Sequence, residues 1–303
     1  MHPSNRHNGR YDFRALARSV PELARFVVAN PSREPTIDFA DPAAVEALNR
    51  ALLKTFYGVS RWSIPPGYLC PAVPGRADYI HHAADLLAAG GKVPRGDSVL
   101  VLDVGVGANC IYPIIGRAEY GWRFVASDID PAALANARGI IEGNASLSGA
   151  VTLRRQTPPS ILLGLLEPEE RFDLTLCNPP FNASLEEAQA GAKAKWAKLD
   201  HPQTGKNFGG QGAELWTPGG EAAFARRMAT ESAALGTQVL WFSILISRSA
   251  NLESVMDALE RLRPEELRTI EVSQGNKKSR IVAWTFLDEK GRQEWGARRK
   301  AAR

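Results

Sequence analysis

Two short stretches hold residues whose types and spacing point to chemistry. The first is Leu102-Asp103-Val104-Gly105-Val106-Gly107-Ala108-Asn109-Cys110, at the end of an apolar run. Gly105 and Gly107 let the backbone approach a ligand closely at the carboxyl end of a strand, where open α/β sheets bind ligands. The next apolar run ends at Asp128, 21 residues after Gly107, the separation at which an acid accepts both hydroxyls of a ribose. Cys110 stands where a dinucleotide fingerprint has its third glycine, and the chain has no Gly-x-x-x-x-Gly-Lys-Ser/Thr loop. A pyrophosphate cradle is therefore not expected. Asp103 either meets a cationic part of a ligand or braces the turn, and Asp130 before Pro131 reads as a helix cap.

The second stretch is Asn178-Pro179-Pro180-Phe181, directly behind the apolar run 172–177. Two prolines fix φ and lack donors, which makes the turn stiff and rich in acceptors. A ligand with a ribose and an adenine but no pyrophosphate resembles S-adenosylmethionine as the Rossmann-like methyltransferases bind it. The tetrapeptide is similar to the Asp/Asn/Ser-Pro-Pro-aromatic signature of amino-methyltransferases. That resemblance implies that Asn178 and the Pro179 carbonyl accept hydrogen bonds from a planar amine. Its nitrogen is then aimed at the sulfonium methyl, with Pro180 holding the turn and Phe181 stacking on a flipped-out base. Positioning of this kind lowers a barrier by roughly 7–11 kcal/mol in favourable cases, and no strong base is needed.

The elements that must hold these residues follow from the pattern. Short apolar runs at 98–105, 122–129, 151–156, 172–178 and 237–246 alternate with helical spacing, the signature of βαβ units around a parallel sheet. Residues 268–288 read as two strands joined at Gly275 and Asn276, an antiparallel hairpin closing the sheet. The fold class is thus α/β, a Rossmann-like, mostly parallel seven-stranded sheet with a terminal hairpin and a helical N-terminal extension. Residues 1–65 read as short helices and turns, including a helix capped by Asp41 and ended by Gly58. Residues 76–90 read as an amphipathic helix closed by Gly90 and Gly91. The division is 1–65, a helical extension; 66–290, the α/β domain; and 291–303, a basic tail. The glycine-rich loop 204–220 has no apolar period and is expected to gate a substrate.

The chain has 303 residues, 44% hydrophobic and 23% charged, with a net charge of +4 and a pI near 9.0, enough for one large α/β domain with an appendage. Arginines crowd the first 33 residues and basic residues crowd the last 14, where phosphate is the natural partner. Cys70, Cys110 and Cys177 stand far apart, so a disulfide framework is not expected. His81 and His82 read as packing or surface residues with no acid or cysteine completing a site, so no metal is expected. No run is long enough to cross a membrane, and the start does not resemble a signal peptide. A cytoplasmic monomer is expected.

Over residues 1 to about 287 the chain resembles the bacterial 23S rRNA adenine-N6 methyltransferases, the F-type enzymes named for adenine 1618, and their eukaryotic relatives acting on U6 snRNA. The stretches that carry the likeness include DFADPAAVEALNRALLKTFYG, LDVGVGANCIYPIIG, LCNPPFNAS, NFGGQGAELWTPGGE and QGNKKSRIVAWTF. The resemblance implies S-adenosylmethionine as cofactor and 23S rRNA, or a large-subunit assembly intermediate, as partner, with RNA binding by residues 1–65 and methyl transfer by residues 66–290. It assigns Arg76 to the cofactor's carboxylate end, Gly105, Asn109 and Asp128 to loop and ribose contacts, and Asn178 to catalysis. Gln156 is expected to contact the adenine edge. Arg6, Arg10, Lys206, Phe208, Lys277, Lys278 and Arg280 are the candidate RNA contacts. Two other functions stay open from residues alone: a protein-glutamine N5-methyltransferase, and a non-catalytic RNA-binding assembly factor on the same fold.

Overall fold

The computed structural model describes residues 1–187, 212–274 and 277–301. Its centre is a seven-stranded sheet built from β3 (Leu100–Val104), β4 (Arg123–Asp128), β5 (Val151–Arg155), β6 (Phe172–Cys177), β7 (Val239–Ile246), β8 (Glu266–Gln274) and β9 (Lys277–Thr285). The spatial order is β5-β4-β3-β6-β7-β9-β8. The first five strands are parallel and β9 runs antiparallel to both its neighbours. The expected hairpin is present, with Gly275 and Asn276 outside the described residues. The chain winds outward from β3 to β5 and then returns to β6 on the other side. The carboxyl ends of β3 and β6 therefore flank the switch point where such sheets bind ligands.

Burial follows the two-residue period of a strand. Val101, Phe124, Leu174 and Trp241 pack on one face, while Leu102, Val125, Phe172 and Phe242 pack on the other. The first face is covered by α2 (Pro42–Tyr57), α3 (Val73–Ala88), α4 (Ile111–Tyr120) and α5 (Pro131–Glu142); α7 (Gly220–Ala233) and α8 (Ser249–Arg261) cover the second. At Gly116 on α4 a Cβ would lie 2.4 Å from the Phe124 ring, so this glycine lets α4 sit directly on β4. The helix α2 begins at Asp41, whose side chain accepts from Ala43 N, and ends at Gly58 in the left-handed region. In α3 the start comes earlier than expected, at Val73 with Pro74 in the first turn, and the residue leaving the helix left-handed is Ala89.

Two regions differ from the sequence reading. Within the N-terminal segment, α1 (Phe13–Ser19) is followed by a 3-10 turn at Pro21–Phe26 and then by β1 (Val27–Ala29) and β2 (Pro35–Ile37), which form a separate antiparallel pair. Three-residue strands are too short to show a period, so they read as turns. At the other end, residues taken for a basic tail form α9 (Glu289–Ala301). It is anchored at the amino end of the sheet, where Asp173 accepts from Trp295 Nε1 at 3.0 Å and Arg299 Nη1 at 2.8 Å. The same carboxylate accepts from Leu100 N at 2.9 Å.

Candidate active site

A cavity of about 590 Å³ opens at the carboxyl ends of β3, β4, β5 and β6. Its floor is the glycine turn. Gly105 and Gly107 have φ of 81° and 62°, and Gly105 N and Val106 N both donate to Ser127 O at 2.9 Å. A Cβ at Gly107 would lie 3.2 Å from Glu214 Oε1 and 3.3 Å from Asn109 Nδ2, so the turn is closed to side chains from above. Asn109 Oδ1 accepts from Ile111 N and so starts α4. Cys110, in the place of the third glycine, takes a φ of 54° and is buried.

Asp128 ends β4 at the cavity wall. Its Oδ2 accepts from Gly107 N at 2.9 Å and its Oδ1 from Asp130 N at 3.0 Å, which aims the carboxylate across the turn. Burial pushes its pKa up, partly offset by these backbone donors. Asp130 caps α5 through Ala132 N and takes the Tyr68 hydroxyl at 2.6 Å on its other oxygen. Asp103 directly precedes the lining residues Val104 and Gly105 and is not itself one of them. It is fully buried and, among the described residues, both its oxygens lack a hydrogen-bond partner. Burial, with Asp128 nearby, pushes its pKa well above the usual carboxylate value.

Across the cavity, Asn178, Pro179 and Pro180 leave β6 and line it. Arg76, from the first turns of α3, donates through Nη1 to Asn178 Oδ1 at 3.4 Å and places its guanidinium 5.9 Å from the Tyr112 ring centre. Arg76, Gly105, Gly107, Asn109, Asp128, Gln156 and Asn178 all line this one cavity. Gln156 is partly spent elsewhere, because its Nε2 donates to Leu163 O and its Oε1 accepts from Thr157 N. Phe181 is half-buried and outside the described lining; the aromatic side of the cavity is formed by Trp216 and Phe224.

Trp216 arrives because Asn182 and Trp216 form a parallel bridge, just after α6 (Gly212–Leu215). This returns the end of the glycine-rich loop to the Asn-Pro-Pro turn. Glu214 Oε2 accepts from Leu69 N at 3.0 Å, tying α6 to the proline-rich connection that also walls the cavity. Sequence reasoning missed Leu69, Glu214, Ile161 and Arg227 as lining residues. The signal available was the unusual composition of 63–75 and 204–221, which marks the segments but not their contacts.

The candidate RNA contacts divide. Arg280 sits opposite Ile246, at the carboxyl end of β7, and Lys278 lies beyond it on the overhanging part of the hairpin, exposed. The hairpin therefore projects from the catalytic end of the sheet. Arg6 instead pairs with Glu119 and donates to Phe56 O, and Arg10 pairs with Glu34. Glu119 is in the last turn of α4, about 12 Å along the helix from Ile111 at the cavity, so Arg6 faces away from the site. Lys206, Phe208 and the Lys277 side chain lie outside the described residues.

The expectation that no acid accompanies His82 is overturned, since His2, His82 and Asp85 place ligand-type atoms within 4.8 Å of one another. His2 Nδ1 accepts from Ser4 N at 3.1 Å, which leaves the proton on Nε2, directed at Asp85 Oδ2 at 2.9 Å. His2 and Asp85 are thus joined by a hydrogen bond, and the His82 ring stands edge-on to His2 with 4.9 Å between ring centres.

The profile of a family described as RNA methyltransferase matches residues 1–288. The chain is 55% identical to "Ribosomal RNA large subunit methyltransferase F" of Ectopseudomonas mendocina (strain ymp), over 97% of this chain and 91% of that protein. It is 52% identical to the protein of the same name from Pseudomonas putida (strain W619), over 99% and 98%. Among solved structures, the human hMettl16 catalytic domain in complex with MAT2A 3'UTR hairpin 1 superposes with a TM-score of 0.82 at 31% identity, covering 95% of this chain and 96% of that one. The N-terminal domain of human METTL16 in complex with SAH gives 0.76 at 27% identity, covering 95% and 99%. The chain belongs to this family of RNA methyltransferases.

Proposed function

We propose that the protein transfers a methyl group from S-adenosylmethionine to the exocyclic N6 amine of one adenine in 23S rRNA, either free or in an assembling large subunit. The observation that carries the reading is the convergence on one cavity of an acceptor-rich turn, Asn178-Pro179-Pro180, and a ribose-type acid, Asp128. The relatives' names and the SAH-bound neighbour support the same substrate class and cofactor. The residues present fit the cofactor. Gly107 leaves room where a Cβ would crowd Glu214 and Asn109, Asp128 is placed for ribose hydroxyls, and Asp103 keeps an unmatched buried carboxylate under the turn. Such a carboxylate favours a ligand bearing positive charge.

When bound, the cofactor supplies an electrophilic methyl on a sulfonium. The chain's part is positioning. Arg76 is placed to take the cofactor's carboxylate, which frees Asn178 Oδ1 for the adenine amine. With the Pro179 carbonyl as the second acceptor, the nitrogen lone pair is drawn out of conjugation and directed at the methyl. Trp216 offers a face for the flipped base, and the hairpin residues Lys277, Lys278 and Arg280 take phosphate. Residues 1–65 act as an RNA-binding extension through exposed arginines such as Arg14, Arg18 and Arg33, and loop 204–220, of which 204–211 lie outside the described residues, acts as the substrate gate. The protein works as a cytoplasmic monomer; among the described residues no helix is long and apolar enough to cross a membrane.

The test uses radiolabelled S-adenosylmethionine and rRNA lacking its natural methyl groups, with digestion to nucleosides. Label is expected in N6-methyladenosine and falls at least about 100-fold in Asn178→Ala. Label on release-factor glutamine, with none on RNA or on a ribosomal precursor, overturns the reading.

A further inference from the structure

Residues 156–171, all of them described, link β5 to β6 with neither helix nor strand. Yet Pro158, Pro159 and Ile161 form one side of the cavity. A wall made of irregular backbone needs partners for its own amides and carbonyls. They come from α7. Glu231 Oε2 accepts from three consecutive amides, Ile161 N at 2.9 Å, Leu162 N at 2.7 Å and Leu163 N at 3.1 Å. Arg227, one turn earlier on the same face, donates through Nη1 to Pro159 O at 3.3 Å. The helix thus offers an anion to the loop's donors and a cation to its acceptor.

Neither residue is placed for the good of the helix. A glutamate in the last turn opposes the macrodipole, and arginine four residues before glutamate is the less favourable order for a pair. Their charged ends go to the loop. Strand order says what the loop receives. Asp128 marks the ribose at β4, and Asn178 on β6 marks the transferred group two strands to one side. With strands about 4.8 Å apart, the base of the same cofactor extends the other way, over β5 and against the wall 158–161.

We infer that Arg227 and Glu231 are positioning residues that hold the 158–163 wall in the shape that accepts the cofactor's purine, with Glu231 acting entirely through the loop. The inference rests on the cofactor reading proposed above. It separates cofactor affinity from chemistry, since the clamp is on the opposite side of β4 from Asn178.

The experiment compares wild type, Glu231→Ala and Glu231→Gln by calorimetric titration with S-adenosylhomocysteine and with adenosine. Steady-state methylation of unmethylated rRNA and hydrogen exchange at residues 161–163 complete the set. In Glu231→Ala the dissociation constants of both ligands and the KM for S-adenosylmethionine rise about 10- to 100-fold. The kcat at saturating cofactor stays within about threefold, the split expected when binding alone is lost. Glu231→Gln, whose single carbonyl oxygen takes at most two of the three amides, is intermediate and carries the test should the alanine variant fail to fold. Loss of amide protection at 161–163 in step with the affinity loss supports the clamp. Wild-type affinity in a folded variant overturns the clamp and leaves the cofactor reading standing. Failure of wild type itself to bind S-adenosylhomocysteine overturns both.

Discussion

Two buried aspartates on adjacent strands of one sheet are treated in opposite ways. Asp173, near the amino end of β6, receives Leu100 N, Trp295 and Arg299. Asp103, near the carboxyl end of β3, receives nothing among the described residues. Burial raises the pKa of both. The difference teaches where this fold spends its polar contacts: the amino end is matched for stability, while the carboxyl end leaves a charge site unmatched where a ligand is received.

The largest expected effect lies at the matched end. Asp173→Ala strands Arg299 and the two other donors, and denaturant unfolding should show a loss of about 3–5 kcal/mol. Methylation per folded molecule should not change, and an equal loss of kcat would break the comparison. At the unmatched end the sign reverses. Asp103→Asn removes the buried ionisable group, so it should stabilise the cofactor-free protein relative to wild type as pH rises, while weakening S-adenosylmethionine binding about tenfold or more.

The pH dependence follows from the raised pKa of Asp103. A folded-state pKa above the unfolded one gives stability that is complete below about pH 4 and is lost as pH rises through the folded value. The stabilisation by Asp103→Asn should therefore grow with pH from about 4 upward; melting curves in which it shrank would contradict the assignment. The smallest effect concerns RNA. Lys278→Ala, on the hairpin at the catalytic end, should reduce the salt dependence of rRNA binding by about one phosphate contact. Arg298→Ala, on α9 at the amino end, should leave it unchanged, and the reverse result would move the RNA to the wrong edge of the sheet.

Much of this was legible in the residues. Strand ends, glycine turns and proline turns are local, so Gly105, Gly107, Asp128 and Asn178 announced their places and the sheet followed from alternation. What was hidden depended on long-range pairing. The run 291–303 has so many charges that only Trp295 hinted at docking, and its partner Asp173 lies 122 residues away. Phe181 follows the Asn178-Pro179-Pro180 turn in sequence, yet the Asn182–Trp216 bridge gives the aromatic wall to a residue from the far end of the glycine-rich loop. Arg6 and Arg10 stood out by composition, which gave no sign of their pairing with Glu119 and Glu34. Glu231 gave no signal, because a carboxylate that gathers backbone amides looks like any surface acid on a helix.

The sheet's two outermost strands also decide how the molecule behaves in a crowd. An open sheet exposes unpaired backbone at each border, a template for runaway stacking of one chain on another. Here β5 carries Arg154 and Arg155, with Arg154 gripping Glu170 through both nitrogens. At the opposite border β8 carries Glu266, paired with Arg268 and Arg292, and Glu271, paired with Arg280. Aligning two such borders would bury charge against charge. A protein that must meet a large polyanion at high local concentration is thereby kept from aggregating with itself.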